Sequence, residues 1–179
     1  MQASRKYFKG NIPLELHKSE QIINEASEKI RDLSHNLISS ILLKFGLTHA
    51  VKDIVHKYSN RELKINVAVD ELRRYDPKFE IKTFNIIQEF LNNILKHSKA
   101  KNAKVMIKEE NDMLIIRISD DGVGFDKSKV DEKDGLGINQ IDARIKMMKG
   151  KFHIDTKIGF GTLIKVDLPI QKKEESLSA

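Results

Sequence analysis

The sequence predicts an α+β fold, in which a helical hairpin precedes an α/β sandwich. Three observations lead to this prediction. From about Ser19 to Tyr58, apolar residues repeat at steps of three and four, which is typical of amphipathic helices. After Asn60 the pattern changes to the alternation of strands, interrupted by two helical stretches. A chain of 179 residues is long enough for one such domain with a helical arm.

These changes of pattern divide the chain into four segments. Residues 1–18 form a linker in which Pro13 breaks any helix, and residues 19–60 form the paired helices. Residues 61–170 form the α/β domain, and residues 171–179 form a polar tail.

The helical segment begins at Ser19, which suits an N-cap, and it turns near Gly46. The first helix carries a heptad-like apolar seam made of Ile23, Ala26, Ile30, Leu33 and Leu37. The second helix runs from about Thr48 to Tyr58. Because neither helix can bury its apolar stripe alone, we expect a homodimer in which two hairpins form a four-helix bundle.

The α/β domain is predicted to contain five strands and two helices. In chain order, their expected bounds are Lys64–Asp70 (strand), Pro77–His97 (helix), Val105–Ile107 and Leu114–Ile118 (strands), Ile138–Met148 (helix), and Phe152–Thr156 and Leu163–Leu168 (strands). This order predicts a mixed sheet with helices on one face.

The composition excludes several classes of function. There is no cysteine, so disulfides, thiolate metal sites and thiol catalysis are impossible. The net charge of +6 comes from scattered basic residues without an Arg-rich stripe, so we expect no direct nucleic-acid binding. The sequence has no signal peptide and no apolar run near the roughly 18–20 residues that span a bilayer. We therefore expect a cytoplasmic protein, attached to a membrane only if a longer chain carries an upstream anchor.

The first group of candidate site residues lies on the helix predicted from Pro77. On a regular helix, Glu89, Asn93, Lys96 and His97 share one face. The amide oxygen of Asn93 suits Mg²⁺, a hard cation that bridges phosphates, and Lys96 could neutralise phosphate charge. The alternative interpretation is a solvated helix face with an incidental polar mixture.

The second group, Asp120-Asp121-Gly122-Val123-Gly124-Phe125, directly follows an apolar strand. A carboxylate at the end of a strand can accept a hydrogen bond from an exocyclic amine, which is how Asp120 would select adenine. Glycines at 122 and 124 remove side chains where backbone meets ligand. The alternative is a simple turn after a strand.

Two further glycine motifs follow. Gly135-Leu136-Gly137 opens a helix, where backbone N–H groups attract phosphate. Gly159-Phe160-Gly161-Thr162 lies between two strands. Taken singly, the first is also compatible with a tight turn, and the second with an ordinary hairpin.

The order and spacing of these four motifs resemble the Bergerat-type ATP-binding fold, which is shared by gyrase, heat-shock chaperones, sensor histidine kinases and mismatch-repair ATPases. The resemblance covers about residues 64–169. It implies ATP and Mg²⁺ as ligands, with Asn93 on the metal, Asp120 on adenine and Thr162 near the base. It further implies roles for the rest of the matching positions. Gly122 and Gly124 lie beneath the nucleotide, Gly135, Leu136 and Gly137 lie at the phosphates, and Lys96 and His97 match the family's Lys-His pair.

Residues 125–134 would then form the ATP lid, with Lys127, Lys129 and Lys133 available to the phosphates. The short lid and the phrase Gln-Glu-Phe-Leu-Asn-Asn-Ile-Leu-Lys-His-Ser-Lys-Ala resemble one subgroup of sensor histidine kinases. The response regulators of that subgroup usually carry a helix-turn-helix output domain.

A histidine kinase needs a phosphoacceptor, and His35 on the first predicted helix is the candidate. It falls away from the apolar seam, where it is reachable. In the subgroup's usual register the histidine would lie at Ile38, so His35 lies about one turn early, and Asn36 replaces the usual acid. The glutamine associated with phosphatase activity is missing in either register, at Ser40 or Leu43.

We therefore expect a dimeric histidine kinase core with His35 and Glu89 as catalytic candidates, which passes phosphate to an Asp on a response-regulator receiver domain. The alternatives are a degenerate ATP-binding scaffold and a serine kinase of the anti-sigma type, which the helices of residues 19–58 argue against. Chaperone and topoisomerase ATPases need large additional domains.

Overall fold

A computed structural model of the chain describes residues 40–127 and 136–170. The predictions for the linker, the first helix with His35, most of the lid with Gly135, and the tail lie outside these residues. From Ile41 onward the chain forms one compact unit. Among the helices that the structure describes, none combines the length and apolarity needed to cross a bilayer.

The core of this unit is a five-stranded mixed sheet. Its strands are β1 (Lys64–Val69), β2 (Asn102–Glu110), β3 (Met113–Asp120), β4 (Lys151–Thr156) and β5 (Thr162–Pro169). Their spatial order is β1-β2-β3-β5-β4. Only β1 and β2 run parallel, and the other neighbouring pairs are antiparallel. The predicted mixed sheet is confirmed.

The register of the sheet brings three polar residues together at one end. Asp120, the last residue of β3, lies opposite Thr162, the first residue of β5. Thr162 in turn lies opposite Thr156, the last residue of β4. Because residues directly opposite each other on antiparallel strands point to the same face, these three side chains share one face of the sheet.

A two-residue turn closes the β2–β3 hairpin at the other end of the sheet. Asn111 and Asp112 both take positive φ angles, of 52° and 57°. Such angles are typical of the tight turn whose twist matches that of the flanking strands, and Asn and Asp tolerate them well. The turn lies between the two strands that were predicted at Val105–Ile107 and Leu114–Ile118.

Helix α2 (Pro77–Asn93) crosses from this end of the sheet to the other. Asp76 caps it by accepting hydrogen bonds from the backbone N–H groups of Lys78 and Phe79, and Pro77 occupies the first turn. Its buried face is mostly apolar and contains Phe79, Glu80, Thr83, Phe84, Ile86, Ile87, Phe90 and Leu91. Burying each large apolar side chain contributes about 1.5–3 kcal/mol, which holds the helix against the sheet.

The last turn of this helix departs from the predicted α-helix. Ile94–Ser98 form a π-helical turn, and Lys99 then takes a left-handed conformation with φ of 53°. The Ser98 hydroxyl donates to the Ile94 carbonyl at 2.7 Å, which is the acceptor that a regular helix would offer to the backbone N–H of Ser98. The prediction of one regular helix to His97 is therefore wrong in its final turn.

Helix α3 (Leu136–Met147) begins directly after Gly135. It buries Ile141 and Ile145, and Met148 just beyond it is also buried. The Ile145 carbonyl accepts from the Gly150 N–H at 2.9 Å, which closes the end of the helix as predicted.

Helix α1, residues 40–58, belongs to the same compact unit as the sheet. Gly46 takes a φ of 79° and interrupts its regular geometry. Its apolar stripe is almost fully buried and comprises Leu42, Leu47, Ala50, Val51, Ile54 and Val55. The compact unit therefore starts about twenty residues before the predicted boundary at residue 60 and itself covers the stripe that we expected a bundle to bury. The four-helix bundle and the assignment of residues 19–60 stay predictions.

Candidate functional site

Backbone hydrogen bonds bring three of the four predicted motifs together at one end of the sheet. The Val123 N–H donates to the Ser98 carbonyl at 2.7 Å, which joins the loop after β3 to the π turn. The Val123 carbonyl accepts from the Gly159 N–H at 2.7 Å, which joins the same loop to the β4–β5 turn. The remaining motif, Gly135-Leu136-Gly137, opens α3 at Leu136, whereas Gly135 itself lies outside the described residues.

Glycines make this close approach possible. A Cβ on Gly122 would lie 2.3 Å from the Ser98 carbonyl oxygen. One on Gly124 would lie 2.1 Å from the Lys157 carbonyl oxygen, and one on Gly161 would lie 2.0 Å from the Asp120 carbonyl oxygen. Gly124 and Gly161 also have positive φ angles, of 58° and 73°. The sequence predicted that the missing side chains of Gly122 and Gly124 leave space for a ligand. In the structure, the space that a Cβ would take at these glycines is occupied by the backbone carbonyls of Ser98 and Lys157.

Asp120 is the half-buried carboxylate of this site. Its Oδ1 accepts from the Gly122 N–H at 2.9 Å, and Oδ2 accepts no hydrogen bond within the described residues. Burial raises the pKa of Asp120 above that of an ordinary aspartate; the Gly122 hydrogen bond opposes this shift and the charge of Asp121 adds to it. One acceptor therefore remains for a ligand.

The neighbouring Asp121 has a different role. It accepts from the backbone N–H groups of Lys101 and Asn102, both at 2.9 Å, and from the Asn102 side-chain amide at 2.8 Å. Chiefly the hydrogen bonds from Asn102 lower the pKa of Asp121. Its carboxylate thus fixes the entry into β2, and the sequence motif alone did not separate this role from that of Asp120.

Thr162 lies opposite Asp120 in the sheet. Thr156, which the sequence did not single out, lies beside it with the two hydroxyl oxygens 3.2 Å apart. The Thr156 hydroxyl also contacts the Phe125 N–H at 3.1 Å and the Gly161 carbonyl at 3.0 Å. Ser98 was likewise missed as a site residue. Its role depends on contacts between distant segments, and no local pattern signals them.

Glu89 and Asn93 lie one helical turn apart near the end of α2, and both are half-buried. Their side chains make no hydrogen bond or ion pair among the residues described. Lys96 and His97 are exposed and belong to the π turn. The prediction that all four share one face assumed a regular α-helix through His97. Because Lys96 and His97 lie in the π turn, only Glu89 and Asn93 keep the i, i+4 relation of an α-helix.

The oxygens of Glu89 and Asn93 suit Mg²⁺. Residues 40–127 and 136–170 contain no cluster of three or more His, Cys, Asp or Glu side chains that would hold a metal by themselves. Mg²⁺ needs no such cluster, because it commonly takes one or two protein oxygens and fills its octahedron with phosphate oxygens and water. The two unpaired side chains therefore fit a metal that arrives with a nucleotide.

Of the three lysines predicted in the lid, only Lys127 lies within the described residues. Its ammonium group donates to the Ile154 carbonyl. Because β4 is an edge strand, its outer backbone groups have no neighbouring strand to pair with, and Lys127 supplies a partner there. The expectation that Lys127 is available to phosphates is therefore not met in this structure.

Residues 79–172 match the family described as "Histidine kinase-, DNA gyrase B-, and HSP90-like ATPase". The match includes slightly more than half of the chain and all four motifs. The chain belongs to this family.

Two curated relatives are both named histidine kinases. The chain is 34% identical over 116 residues to the signal transduction histidine-protein kinase/phosphatase DegS of Bacillus subtilis (strain 168), which is 62% of this chain and 30% of that protein. It is 31% identical over 166 residues to an uncharacterized sensor-like histidine kinase of Chloroflexus aurantiacus, which is 88% of this chain and 28% of that protein. The chain spans less than a third of the length of these relatives.

A solved structure supports the fold. The histidine kinase domain of the blue-light activated histidine kinase of Erythrobacter litoralis EL346 superposes with a TM-score of 0.59 at 19% identity. The superposition covers 70% of this chain and 59% of that one.

Proposed function

We propose that this chain is the ATP-binding core of a two-component sensor histidine kinase that acts in the cytoplasm. The observation that carries the proposal is Asp120: a half-buried carboxylate with one oxygen unbonded among the described residues, at the point where the π turn and two glycine-containing segments converge. A carboxylate oxygen that is accessible but has no partner among the described residues can accept a hydrogen bond from a ligand, and a perturbed pKa beside it favours a functional site.

Asp120 and Thr162 would read the base. The free carboxylate oxygen accepts a hydrogen bond from the exocyclic amine of adenine, and Thr162 lies on the same face of the sheet. Gly122 and Gly124 hold the loop beneath the nucleotide, because any side chain at these positions would meet the backbone of Ser98 or Lys157.

The phosphates would lie between the end of α2 and the start of α3. Gly135, Leu136 and Gly137 provide backbone N–H groups at the N-terminus of α3, where the helix dipole favours an anion. Asn93, with Glu89 beside it, would hold Mg²⁺, and the exposed Lys96 and His97 add positive charge. The metal neutralises charge on the transferring phosphate.

The reaction would begin at a histidine, for which His35 is the candidate. A lone pair of its imidazole forms a nitrogen–phosphorus bond with the γ-phosphate while the bond to the β-phosphate oxygen breaks, and ADP leaves. Glu89 would act as the base for the remaining imidazole proton. The phosphate then passes to an aspartate of a receiver domain, and a homodimer would bring the histidine of one chain near an ATP site.

The histidine kinase assignment is favoured over a DNA gyrase- or chaperone-like ATPase because both curated relatives carry that name. The short lid further suggests a regulator with a helix-turn-helix output domain. A membrane would be reached only through an anchor elsewhere in a longer protein.

Autophosphorylation with γ-labelled ATP and Mg²⁺ tests the proposal. We expect a base-stable, acid-labile label on the wild-type chain, its loss in Asp120→Asn, and its loss in His35→Gln. The exposed helical His56 offers a matched control, since His56→Gln should keep the label. Label retained in His35→Gln would exclude that acceptor. Tight ATP binding without any label in the wild type would contradict kinase activity and favour the ATP-binding scaffold.

Asp120→Asn is chosen because it changes hydrogen-bond polarity with little change of shape. The Asn oxygen can still accept from the Gly122 N–H, whereas its amide nitrogen replaces the free acceptor with a donor. We expect the fold to persist and ATP affinity to fall about 10- to 100-fold, as for the loss of a hydrogen bond to a charged group. Calorimetric titration with ATP measures this, and an unchanged affinity would contradict the adenine assignment.

A further inference from the structure

Thr156, the last residue of β4, links the loop after β3 to the residues around Thr162, where we propose that the base binds. Its Oγ1 accepts from the Phe125 N–H at 3.1 Å and donates to the Gly161 carbonyl at 3.0 Å. The same oxygen lies 3.2 Å from Oγ1 of Thr162. These partners come from the loop after β3 and from the adjacent residues Gly161 and Thr162, so this one hydroxyl links two separate segments.

The direction of the hydrogen bond between the two threonines follows from counting protons. A threonine hydroxyl has one proton and two lone pairs. The proton of Thr156 is used at the Gly161 carbonyl, so the contact between the hydroxyls is a hydrogen bond only if Thr162 donates. The lone pairs of Thr156 are then filled by Phe125 and Thr162, and its hydrogen-bonding capacity is exhausted.

This arrangement fixes what Thr162 can offer a ligand. Its proton is directed towards Thr156, and Asp120 does not compete for it, because Asp120 and Thr162 form no side-chain hydrogen bond with each other among the described residues. Only lone pairs remain on Thr162, and an ionised Asp120 also offers only acceptors. Two acceptors on one face of the sheet complement a group with two N–H donors.

We infer that Thr156 is the positioning residue that sets base specificity: by holding the Thr162 hydroxyl as an acceptor, it makes the pocket select a purine with an exocyclic amine over one with a carbonyl at that place. The inference rests on the proposed function, because it requires the base to be read at Asp120 and Thr162. An amine supplies two donors to these acceptors. A carbonyl oxygen would face two acceptors without any proton between them, which is unfavourable.

The experiment compares the affinities of the whole chain for ATP and for inosine triphosphate, in which a carbonyl replaces the amine. In Thr156→Val the Thr162 proton is released and can rotate towards the base. We expect the preference for ATP over inosine triphosphate to fall about 3- to 10-fold, the range that one net hydrogen bond supplies. Thr156→Ser keeps the hydroxyl and should keep the wild-type preference.

A double-mutant cycle separates this role from a merely structural one. If Thr156 acts through Thr162, adding Thr156→Val to Thr162→Val leaves the preference as it is in Thr162→Val alone. Equal weakening of both nucleotides in Thr156→Val, or a further change of preference in the Thr162→Val background, overturns the inference. Should Thr156→Val fail to fold by circular dichroism, Thr162→Val alone is decisive, because an unchanged preference there also overturns it.

Failure of this inference is distinguishable from failure of the proposed function. A wild-type chain that binds neither nucleotide removes both. A wild-type chain that binds ATP, together with a Thr156→Val variant of unchanged preference, removes only the role of Thr156.

Discussion

The two ends of helix α2 hold polar residues in opposite states. At its C-terminal end, Glu89 and Asn93 are half-buried and their side chains are unpaired among the described residues. At its N-terminal end, Glu80 is fully buried, and both of its carboxylate oxygens accept hydrogen bonds. Glu80 lies 9 residues before Glu89 and 13 before Asn93, so the two environments are roughly 14–20 Å apart along the helix axis.

At the N-terminal end of α2, the hydrogen bonds form a network centred on Arg74 and Glu80. Arg74 donates to both Glu80 oxygens at 3.1 Å, and the Tyr75 N–H donates to Oε1 at 3.0 Å. Arg74 also donates to the Leu43 carbonyl at 3.0 Å, which ties α1 to the start of α2. Nearby, the Tyr75 hydroxyl donates to Glu109 at 2.7 Å. Burial and the contact with Glu109 raise the pKa of Tyr75.

The contrast shows how a structural network differs from a ligand site. A buried charge whose hydrogen bonds are all made within the chain stabilises the fold and leaves nothing for a ligand. Half-buried acceptors without partners among the described residues remain available to a ligand. Substitutions at the N-terminal end of α2 should therefore change stability alone, whereas those at the candidate site should change nucleotide affinity.

The largest effect is expected from Glu80→Ala. It leaves Arg74 and the Tyr75 N–H without their acceptor, and we expect a loss of about 2–4 kcal/mol in the free energy of unfolding, since Arg74 is half exposed and partly solvated. Urea unfolding measures this. ATP affinity of the folded protein should stay within about twofold of wild type. An equal fall in affinity would mean that the two ends are coupled.

The second largest effect is expected from Gly161→Ala, a substitution in the turn between β4 and β5 at the candidate site. The added Cβ would meet the Asp120 carbonyl oxygen at a positive φ, so we expect a loss of about 2–3 kcal/mol together with weaker ATP binding. Gly159→Ala is the matched control in the same turn. Its φ is also positive, at 83°, but nothing lies within 4 Å of the added Cβ. It should cost about 1 kcal/mol and leave affinity unchanged.

The raised pKa of Asp120 predicts that nucleoside affinity at the candidate site depends on pH. Its carboxyl takes up a proton at a higher pH than an ordinary aspartate, whose pKa is about 3.9. A protonated carboxyl has lost an acceptor, so affinity for adenosine should fall as pH drops through the raised pKa. Folding stability should respond to pH in the opposite direction. Because protonation removes the charge that burial disfavours, Asp120 destabilises the folded state less as the pH drops through the raised pKa.

Titration of adenosine binding between neutral and mildly acid pH tests this dependence without involving the phosphates. Asp120→Asn supplies the control, because its weaker binding should lack this pH dependence. An identical pH profile in wild type and Asp120→Asn would assign the dependence to another group.

The smallest effect is expected from Asp76→Ala. The N-cap of α2 accepts from two backbone N–H groups, and its loss should cost about 1 kcal/mol. Thermal unfolding should show the shift, while ATP affinity stays at the wild-type value. A change in affinity here would show that fraying of the first turn reaches Asn93.

The sequence predicted the elements of the α/β domain well because each carries a strong local pattern. The alternation in β3 and the periodicity of α2 from Pro77 onward are examples. The π turn was not predicted, because its cause is the Ser98 hydroxyl and a contact with Val123 from a distant loop. The sequence predicted that α1 buries its stripe, but it did not predict that α1 belongs to the same compact unit as the sheet, since an amphipathic stripe indicates that a partner exists without indicating which one.

The candidate site was predicted only in part for the same reason. Asp120 and the glycines stand in motifs that sequence alone can display. Thr156 ends an ordinary strand, and its importance comes from the register that places it opposite Thr162. Similarly, Asp120 and Asp121 are equivalent in the sequence, and only the hydrogen bonds from Lys101 and Asn102 separate them.

The turn at Asn111 and Asp112 acts on this site from a distance. It closes the β2–β3 hairpin with two residues and so fixes which residues of the strands are paired, up to Ala103 opposite Asp120. Seven residue steps separate the two ends of this ladder, roughly 23 Å. A slip of one residue in the hairpin would turn the Asp120 side chain to the opposite face of the sheet, away from Thr162. The hairpin thus fixes the face of the sheet that Asp120 occupies, and the pairing of β3 with β5 then places Thr162 opposite it.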